Sequence, residues 1–307
     1  MLLKITTRSL CGLAVAGLVL ANATAYADIA HRYSFNDGTA NDSVGLAHGT
    51  LLNGATVSGG LVTLTGGSGQ AAQHVSLLAS GANGINIAGY SALTVELWAT
   101  HNSNTGNNWS RYFDFGSHNI IDTDPPNMDP GEGTNAGNSI FMTPDRFGDA
   151  DTSAQSFRIS NVNLATIPSQ SGFNAEQGTT FNGAEAIAGV EHHVVATFDE
   201  ATNRMAMYLN GVLLAQNTNA TFTMSVLQDD GALAGLTDFA LIGAALYGDP
   251  GFAGSFNEVR IYNMAANAAE VALSFARGPN GVPIPEPAAA MLLVMGLAGL
   301  VVARRRS

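Results

Sequence analysis

Carboxylate side chains are the residues of this 307-residue sequence that come nearest to catalytic chemistry. Hydrolysis of a glycosidic bond uses two carboxylic acids that flank the bond, and residues two apart on a strand point to the same face of the sheet. Glu96 is the only acid in its apolar run, whereas Asp122-x-Asp124 and Asp149-x-Asp151 lie among loop-forming residues. The sequence therefore predicts no catalytic carboxylate pair, and we expect that the protein is not an enzyme.

Two adjacent histidines, His192 and His193, could bind a metal ion or act as a base. Neighbouring residues of a strand point to opposite faces of the sheet, so the two rings cannot bind one ion together. We expect one imidazole to pack inside the protein and the other to lie on its surface. The remaining histidines are scattered without the spacing of a zinc site.

An acidic segment offers the oxygen atoms that calcium prefers. Asp122, Asp124, Asp129 and Glu132 lie in a long stretch without apolar periodicity, which ends near residue 137. Calcium binds carboxylate, amide and carbonyl oxygens, and loops rich in Asp, Asn and Gly supply them. The segment is therefore interpreted either as a calcium site or as a solvated acidic loop.

A carbohydrate-binding surface needs aromatic rings and amide side chains that solvent can reach. Trp109, together with Asn102 and Asn104 in a segment rich in Gly and Asn, is the best such group in the sequence. Trp109 either contacts a ligand or packs against the protein. The other tryptophan, Trp98, lies in an apolar run and is expected in the core.

The elements that must position these residues are short strands separated by Gly, Asn, Asp and Ser. Asn210-Gly211 predicts a tight hairpin turn, and residues 267–276 predict one helix that ends before Gly278-Pro279. Residues 161–190 show no clear pattern. The predicted strands are 29–35, 61–64, 93–101, 111–115, 139–142, 157–160, 191–199, 205–209, 212–214, 239–242 and 256–262. This order predicts an all-β fold, a two-sheet antiparallel sandwich with one short helix near its C-terminal end.

The charge of the chain excludes one class of partner. Residues 28–282 contain seven arginines, no lysine and 23 acidic residues, which is a formal net charge of −16. Binding to a phosphate backbone needs clusters of Lys and Arg, so no nucleic acid is expected as a partner.

The first 27 residues have the pattern of a secretory signal peptide. Lys4 and Arg8 precede an apolar run from Leu10 to Leu20, and Ala25-Tyr26-Ala27 is a small-x-small cleavage pattern. The mature chain would begin at Asp28. Because the single cysteine, Cys11, lies inside this segment, the mature protein would contain neither a disulfide nor a thiolate nucleophile.

The last 26 residues, 282–307, form a second segment outside the sandwich. A spacer that contains Pro285-Glu286-Pro287 precedes an apolar run from Ala288 to Ala303, predicted as a separate hydrophobic helix. Three arginines, Arg304, Arg305 and Arg306, follow the run. The positive-inside rule places these arginines in the cytoplasm. A plain membrane anchor needs only the apolar run and the arginines.

The order Pro-Glu-Pro, apolar helix and arginine cluster resembles the PEP-CTERM sorting signal of Gram-negative bacteria. That resemblance implies recognition, and removal of the tail, by an exosortase, which is a membrane peptidase. The expected partners are thus the secretion machinery, the exosortase and, before processing, the inner membrane. The expected destination is the cell surface or the extracellular matrix.

Several runs of the sequence occur in an order that is shared with a known family. They are His31 to Phe35, Asp42 to Gly45, Leu93 to Trp98, Tyr112 to Gly116, His192 to Asp199, the Asn210-Gly211 hairpin and Asn257 to Tyr262. Through these runs residues 28–281 resemble the laminin-G-like and concanavalin-A-like jelly rolls. The resemblance implies a jelly-roll fold and a calcium ion between the first and final strands, near Asp28 and Asn257, where the family commonly has Asp in place of Asn257.

The leading hypothesis is an exported, non-catalytic jelly-roll module that binds polysaccharide or structures the matrix. The alternatives are a glycan-cleaving enzyme with an unrecognised carboxylate pair and a protein-binding adhesin. Calcium is the one candidate cofactor.

Overall fold

The computed structural model describes residues 29–77, 84–102, 109–116, 138–145, 154–160, 176–182, 186–227, 239–246 and 248–281. All of them lie in one compact unit that spans residues 27–282.

Fifteen strands and one α-helix make up the regular structure of the described residues. The strands are β1 Ile29–Tyr33, β2 Thr50–Leu52, β3 Thr56–Ser58, β4 Leu61–Thr65, β5 His74–Ser76, β6 Ala92–His101, β7 Phe113–Gly116, β8 Ser139–Thr143, β9 Ala154–Ser160, β10 Glu176–Asn182, β11 His192–Asp199, β12 Arg204–Leu209, β13 Val212–Asn217, β14 Phe239–Ile242 and β15 Ala253–Tyr262; the helix is α1, Ala268–Arg277.

The strands form two antiparallel sheets. The first has the order β13-β12-β11-β6-β15-β4-β3, and the second has the order β10-β9-β8-β7-β14-β5-β2. On one side β15 pairs with β6; on its other side its first residues pair with β4 and its last residues pair with β1. This arrangement is a jelly-roll sandwich with one short helix, as the sequence pattern predicted.

The core lies between the sheets because alternate residues of each strand point inward. In β6 the inward residues are Leu93, Val95, Leu97 and Ala99, and they belong to a single apolar cluster with residues of the second sheet such as Phe113. Thr94, Glu96 and Trp98 point to the outer face of the first sheet and are nevertheless buried. Something must therefore cover that outer face.

The cover is α1 with the residues just before it. Val271 of α1 and the preceding Ala266 pack on the outer face of the first sheet, against Val195 and Tyr208. The start of α1 is fixed by a capping box in which Asn267 accepts backbone N–H bonds and the Glu270 carboxylate binds the Asn267 N–H. Gly278, at φ 74°, ends it. The predicted helix is confirmed to within one residue. Among the described residues, no helix combines the length and apolar character needed to cross a membrane.

The Asn210-Gly211 hairpin is also confirmed. The two residues have φ of 49° and 81°, the positive values that a two-residue hairpin turn requires. A Cβ atom on Gly211 would lie 3.1 Å from the Phe275 side chain, so the turn also lets α1 approach the sheet.

Short or polar strands are the elements that the sequence pattern did not reveal. β2, β3 and β5 have three residues each, too few to show alternation. β10 lies in the segment 161–190 that had no clear pattern; it is an edge strand with the polar sequence EQGTTFN. Arg111 and Tyr112 were expected in a strand, but the strand begins at Phe113; the chain before it includes Trp109 in a left-handed conformation, which extended strand backbone does not have.

Candidate functional site

Trp109 and Arg111 lie just before β7 at one end of the sandwich. The Arg111 guanidinium lies over two aromatic rings, with its carbon 4.1 Å from the centroid of Phe141 and 5.7 Å from that of Trp109. Such contacts are favourable because the ring faces are electron-rich. The aromatic rings therefore help to hold the guanidinium in place.

Hydrogen bonds occupy the edge of the same guanidinium. Nη2 donates to Asp249 Oδ2 at 2.8 Å, Nε donates to Asp114 Oδ2 at 3.4 Å, and Nη1 donates to the Trp109 carbonyl. The Arg111 side chain is 2% exposed. Its charge is thus satisfied inside the protein and is not presented to solvent.

The backbone of Trp109 has an unusual conformation. Its φ is 64°, a left-handed value that is rare for a bulky residue. The Trp109 N–H donates to the Asp145 carbonyl at 2.8 Å, and its own carbonyl accepts from Arg111, so both backbone groups hold this conformation. Strain of this kind is concentrated at ligand sites. The Trp109 side chain is partly exposed.

Two carboxylates share Arg111 but differ in exposure. Asp114 has no exposed surface, and burial raises the pKa of Asp114 to about 7 even though Arg111 and the Leu246 N–H favour the charged form. Asp114 Oδ1 is buried and has no hydrogen-bond partner among the described residues. The Asp249 side chain is 29% exposed, and burial raises the pKa of Asp249 as well.

The loop that carries Asp249 is held by a neighbouring loop. The Gly69 N–H donates to the Asp249 carbonyl at 2.8 Å, and Ser68 Oγ donates to the Gly248 carbonyl at 2.8 Å. We call Trp109, Arg111, Asp114, Phe141 and Asp249 the loop-end site. Solvent reaches Trp109 and Asp249, whereas Arg111, Asp114 and Phe141 support them from below.

Of the predicted binding residues, Asn102 lies at the same end of the sandwich as Trp109. Asn102 is exposed, and its N–H donates to the carbonyl of Ala253 at 2.9 Å, four residues after Asp249. Asn104 lies outside the described residues. Trp98 is buried, as expected.

The predicted separation of His192 and His193 was wrong in one respect. The two rings do point to opposite faces, but both are buried, His192 at 5% and His193 at 1% exposure. The ring on the outer face of the sheet, that of His193, lies beneath α1, where Phe275 stacks on it at 5.7 Å. No metal role follows for either ring.

A second polar cluster surrounds His193 on the outer face of the first sheet. We call Arg32, Glu96, His193, Glu258 and Arg260 the under-helix cluster. His193 Nε2 and Glu96 Oε1 are 2.7 Å apart, Arg260 binds both carboxylates, and Arg32 binds Glu258 at 2.8 and 3.0 Å. Burial raises the pKa of Glu96, but the hydrogen bond from His193 and the nearby positive charges outweigh it and leave that pKa lowered.

The under-helix cluster holds the C-terminal end of the described chain. Arg260 donates to Ser274 Oγ and to the Gly281 carbonyl, each at 3.1 Å, and the Asn280 N–H donates to Glu258 at 2.7 Å. Glu96, the acid considered first for catalysis, is therefore sealed between sheet and helix at 2% exposure. Its role in the structure is to balance the charge of Arg260.

The residues considered for calcium are mostly outside the described part of the chain, namely Asp28, Asp122 and Asp124. Asn257 is described, and its amide donates to Glu191 at 2.9 Å. In the described ranges, no three His, Cys, Asp or Glu side chains are grouped so that they could hold a metal ion. The calcium site stays a prediction.

The sorting residues also lie outside the described residues. They are Pro285, Glu286, Pro287, Arg304, Arg305 and Arg306.

The supporting residues of the loop-end site were not identified from the sequence. Asp114 carries a signal that could have been used, since it is a single acid between two buried aromatic residues of one strand. Asp249 carries none, because it lies in a Gly-Asp-Pro-Gly turn 138 residues away from Arg111.

Solved structures with the same fold are distant in sequence. The binding domain of botulinum neurotoxin DC, in complex with rat synaptotagmin II, has a TM-score of 0.50 and 14% identity, over 81% of this chain and 51% of that chain. Domain 4 of AbnA, a GH43 extracellular arabinanase from Geobacillus stearothermophilus in complex with arabinotriose, has a TM-score of 0.48 and 18% identity, over 80% and 98%. The CBM40 of the Ruminococcus gnavus IT-sialidase, bound to α2,3-sialyllactose, has a TM-score of 0.46 and 12% identity, over 69% and 95%.

No curated protein sequence matches this chain. Residues 67–272, more than half of the chain, match the family described as the concanavalin A-like lectin/glucanases superfamily. That match agrees with the sandwich of two antiparallel sheets and with the resemblance found in the strand motifs. The chain therefore belongs to the concanavalin A-like lectin/glucanases superfamily.

Proposed function

We propose that this protein is an exported, non-catalytic module that binds carbohydrate at the loop-end site. Membership of a superfamily of lectins and glucanases supports a carbohydrate ligand. The observation that carries the proposal is the partly exposed Trp109, held in a left-handed conformation by Arg111 and Asp145.

The geometry suits a sugar for two reasons. The flat, apolar ring of Trp109 can pack against the C–H face of a pyranose, and the Asp249 carboxylate can accept hydrogen bonds from hydroxyl groups. Both groups are fixed before binding, Trp109 by its backbone bonds and Asp249 by Arg111 and the 68–69 loop. Fixed groups lose little entropy on binding, so they favour affinity.

Removal of the Trp109 ring should weaken glycan binding strongly. Because the indole is partly exposed whereas Phe141, the other aromatic ring of the loop-end site, is buried, we expect Trp109→Ala to lose about tenfold or more in affinity. A glycan array, probed with and without EDTA, identifies the ligand; a titration with that ligand then measures both proteins. A loss of binding in EDTA would support the calcium site proposed from the sequence.

The matched control for this experiment is Val212→Ala. Val212 is 64% exposed in the hairpin of the first sheet, so its replacement removes exposed apolar surface away from the site. Thermal unfolding of both variants shows whether they fold. Equal affinity of Trp109→Ala and the parent protein would contradict the assignment of this site.

The protein should release no reducing sugar from β-glucan, agarose, alginate or cellulose. The two carboxylates of the loop-end site cannot both reach a glycosidic bond, because Asp114 has no exposed surface. A reducing-end assay on the purified protein measures this. Turnover that disappears in Asp114→Asn or Asp249→Asn would show that the protein is a hydrolase instead.

The proposed destination is the cell surface or extracellular matrix of a Gram-negative bacterium. Residues 1–27 would direct export, and residues 282–307 would hold the chain in the inner membrane until an exosortase removes them. There the domain would bind polysaccharide or structure the matrix.

A further inference from the structure

The loop-end site presents negative charge to solvent and keeps its positive charge covered. Arg111 is 2% exposed and lies against Phe141 and Trp109, and Asp114, Asp249 and a carbonyl occupy its edge. Among the five residues of the site, the charged group that solvent reaches is the Asp249 carboxylate, 29% exposed. Within these five residues, an anionic sugar would meet that carboxylate and no uncovered cation.

The domain as a whole has the same sign. Residues 28–282 have a formal net charge of −16 and contain no lysine. A field of one sign attracts ligands of the opposite sign and repels polyanions.

The site also has a spare acceptor atom that solvent can reach. Asp249 Oδ2 accepts from Arg111, and Oδ1 of that side chain has no hydrogen bond in the described part of the chain. Asp114 adds no acceptor for a ligand, because it has no exposed surface. An ammonium group donates three hydrogen bonds and has the charge that matches the Asp249 carboxylate.

From these observations we infer that the glycan bound at the loop-end site carries free amino groups, and that glycans bearing uronates or sulfates are excluded. This inference rests on the carbohydrate-binding function proposed above. In the complex, Trp109 packs against the pyranose ring, and Asp249 forms an ion pair with the protonated amine.

Two oligosaccharides with the same backbone show the effect of the free amine on binding. Chitosan hexamer has free amines, whereas chitohexaose has the same linkage and length with every amine acetylated; oligoguluronate serves as the acidic probe. Binding to the full-length purified protein is titrated at a mildly acidic pH at which the glucosamine amine is protonated. We expect the chitosan hexamer to bind about tenfold more tightly than chitohexaose, with a preference that falls as salt is added, and we expect no binding of oligoguluronate.

Asp249→Asn tests whether Asp249 causes the preference for the free amine. The amide keeps the shape of the side chain but removes its charge, so the preference for the free amine should disappear while chitohexaose still packs on Trp109. Asp37→Asn is the matched control, because Asp37 is an exposed acid in another turn, and the preference should persist there.

Each outcome separates this inference from the proposed function. Equal binding of the two hexamers, or tighter binding of oligoguluronate, overturns the charge preference and leaves carbohydrate binding in place. A preference that survives in Asp249→Asn overturns the role of that residue. If neither hexamer binds and the glycan array is also empty, both the inference and the proposed function are wrong.

Discussion

Arg260→Ala should destabilise the domain by about 3–5 kcal/mol, a large part of the stability of an ordinary domain. Arg260 is about 1% exposed and holds Glu96 and Glu258, which are themselves buried. Without the guanidinium, two carboxylates remain in a region from which water is excluded, and the hydrogen bonds to Ser274 and Gly281 are lost. Urea unfolding, followed by tryptophan fluorescence, measures the change.

Three further variants separate lost charge from lost packing. Arg260→Met keeps most of the volume beneath Trp98 and should be nearly as destabilising, because both buried carboxylates lose the positive charge of Arg260. Adding Glu96→Gln and Glu258→Gln to Arg260→Met should recover most of the loss, since no buried charge then lacks a partner. Arg204→Ala, which removes contacts with Gln216 at the protein surface, should change the unfolding free energy by about 0.5 kcal/mol or less. Unchanged stability in Arg260→Ala would contradict the role given to the under-helix cluster.

The mature protein that its own host produces should lack the residues beyond about Pro287. The apolar run from Ala288 to Ala303 and the three arginines suffice for an anchor, whereas Pro285-Glu286-Pro287 contributes nothing to anchoring. Two prolines break a helix and an acid disfavours the bilayer, so we propose that a peptidase recognises this tripeptide. Intact-mass measurement of the mature protein gives the position of its last residue.

Replacement of Pro285, Glu286 and Pro287 by alanine should leave the complete tail in the membrane fraction. We expect the whole of the protein to move to the membrane fraction, because an uncleaved apolar run keeps the domain attached to the membrane. Replacement of the Pro283 outside the tripeptide by alanine is the control and should still permit release. Wild-type protein recovered outside the cell with Arg304, Arg305 and Arg306 intact would show that the tail is a simple anchor.

Local patterns in the sequence were sufficient for most of the sandwich. Alternation placed β6 and β11 within a residue of their bounds, and Asn210-Gly211 predicted its hairpin because the turn depends on those two residues alone. β5 and β10 were not predicted, for two different reasons. β5 is too short to show a period, and β10 is an edge strand with little apolar surface to bury.

The sites were harder to predict because their partners are far apart in sequence. Trp109 was identified as a candidate by its type, but Asp249 reaches Arg111 only through the folded loops. One histidine of the His192-His193 pair was expected at the surface, because a strand pattern gives the face of a side chain and not what covers that face. The ring on the outer face, that of His193, is covered. The covering residue, Phe275, lies on a helix 82 residues later.

The position of β15 in the middle of the first sheet sets the order in which this protein can be completed. β6, β4 and β1 all take their partner from β15, and Tyr33 pairs with Val259. During synthesis the edges of these strands that pair with β15 therefore remain unpaired until almost the whole chain has left the ribosome. Closure of so long a loop is slow. The nascent chain is consequently exposed to aggregation for most of its synthesis, and a product truncated before β15 is an incomplete sheet with no central strand.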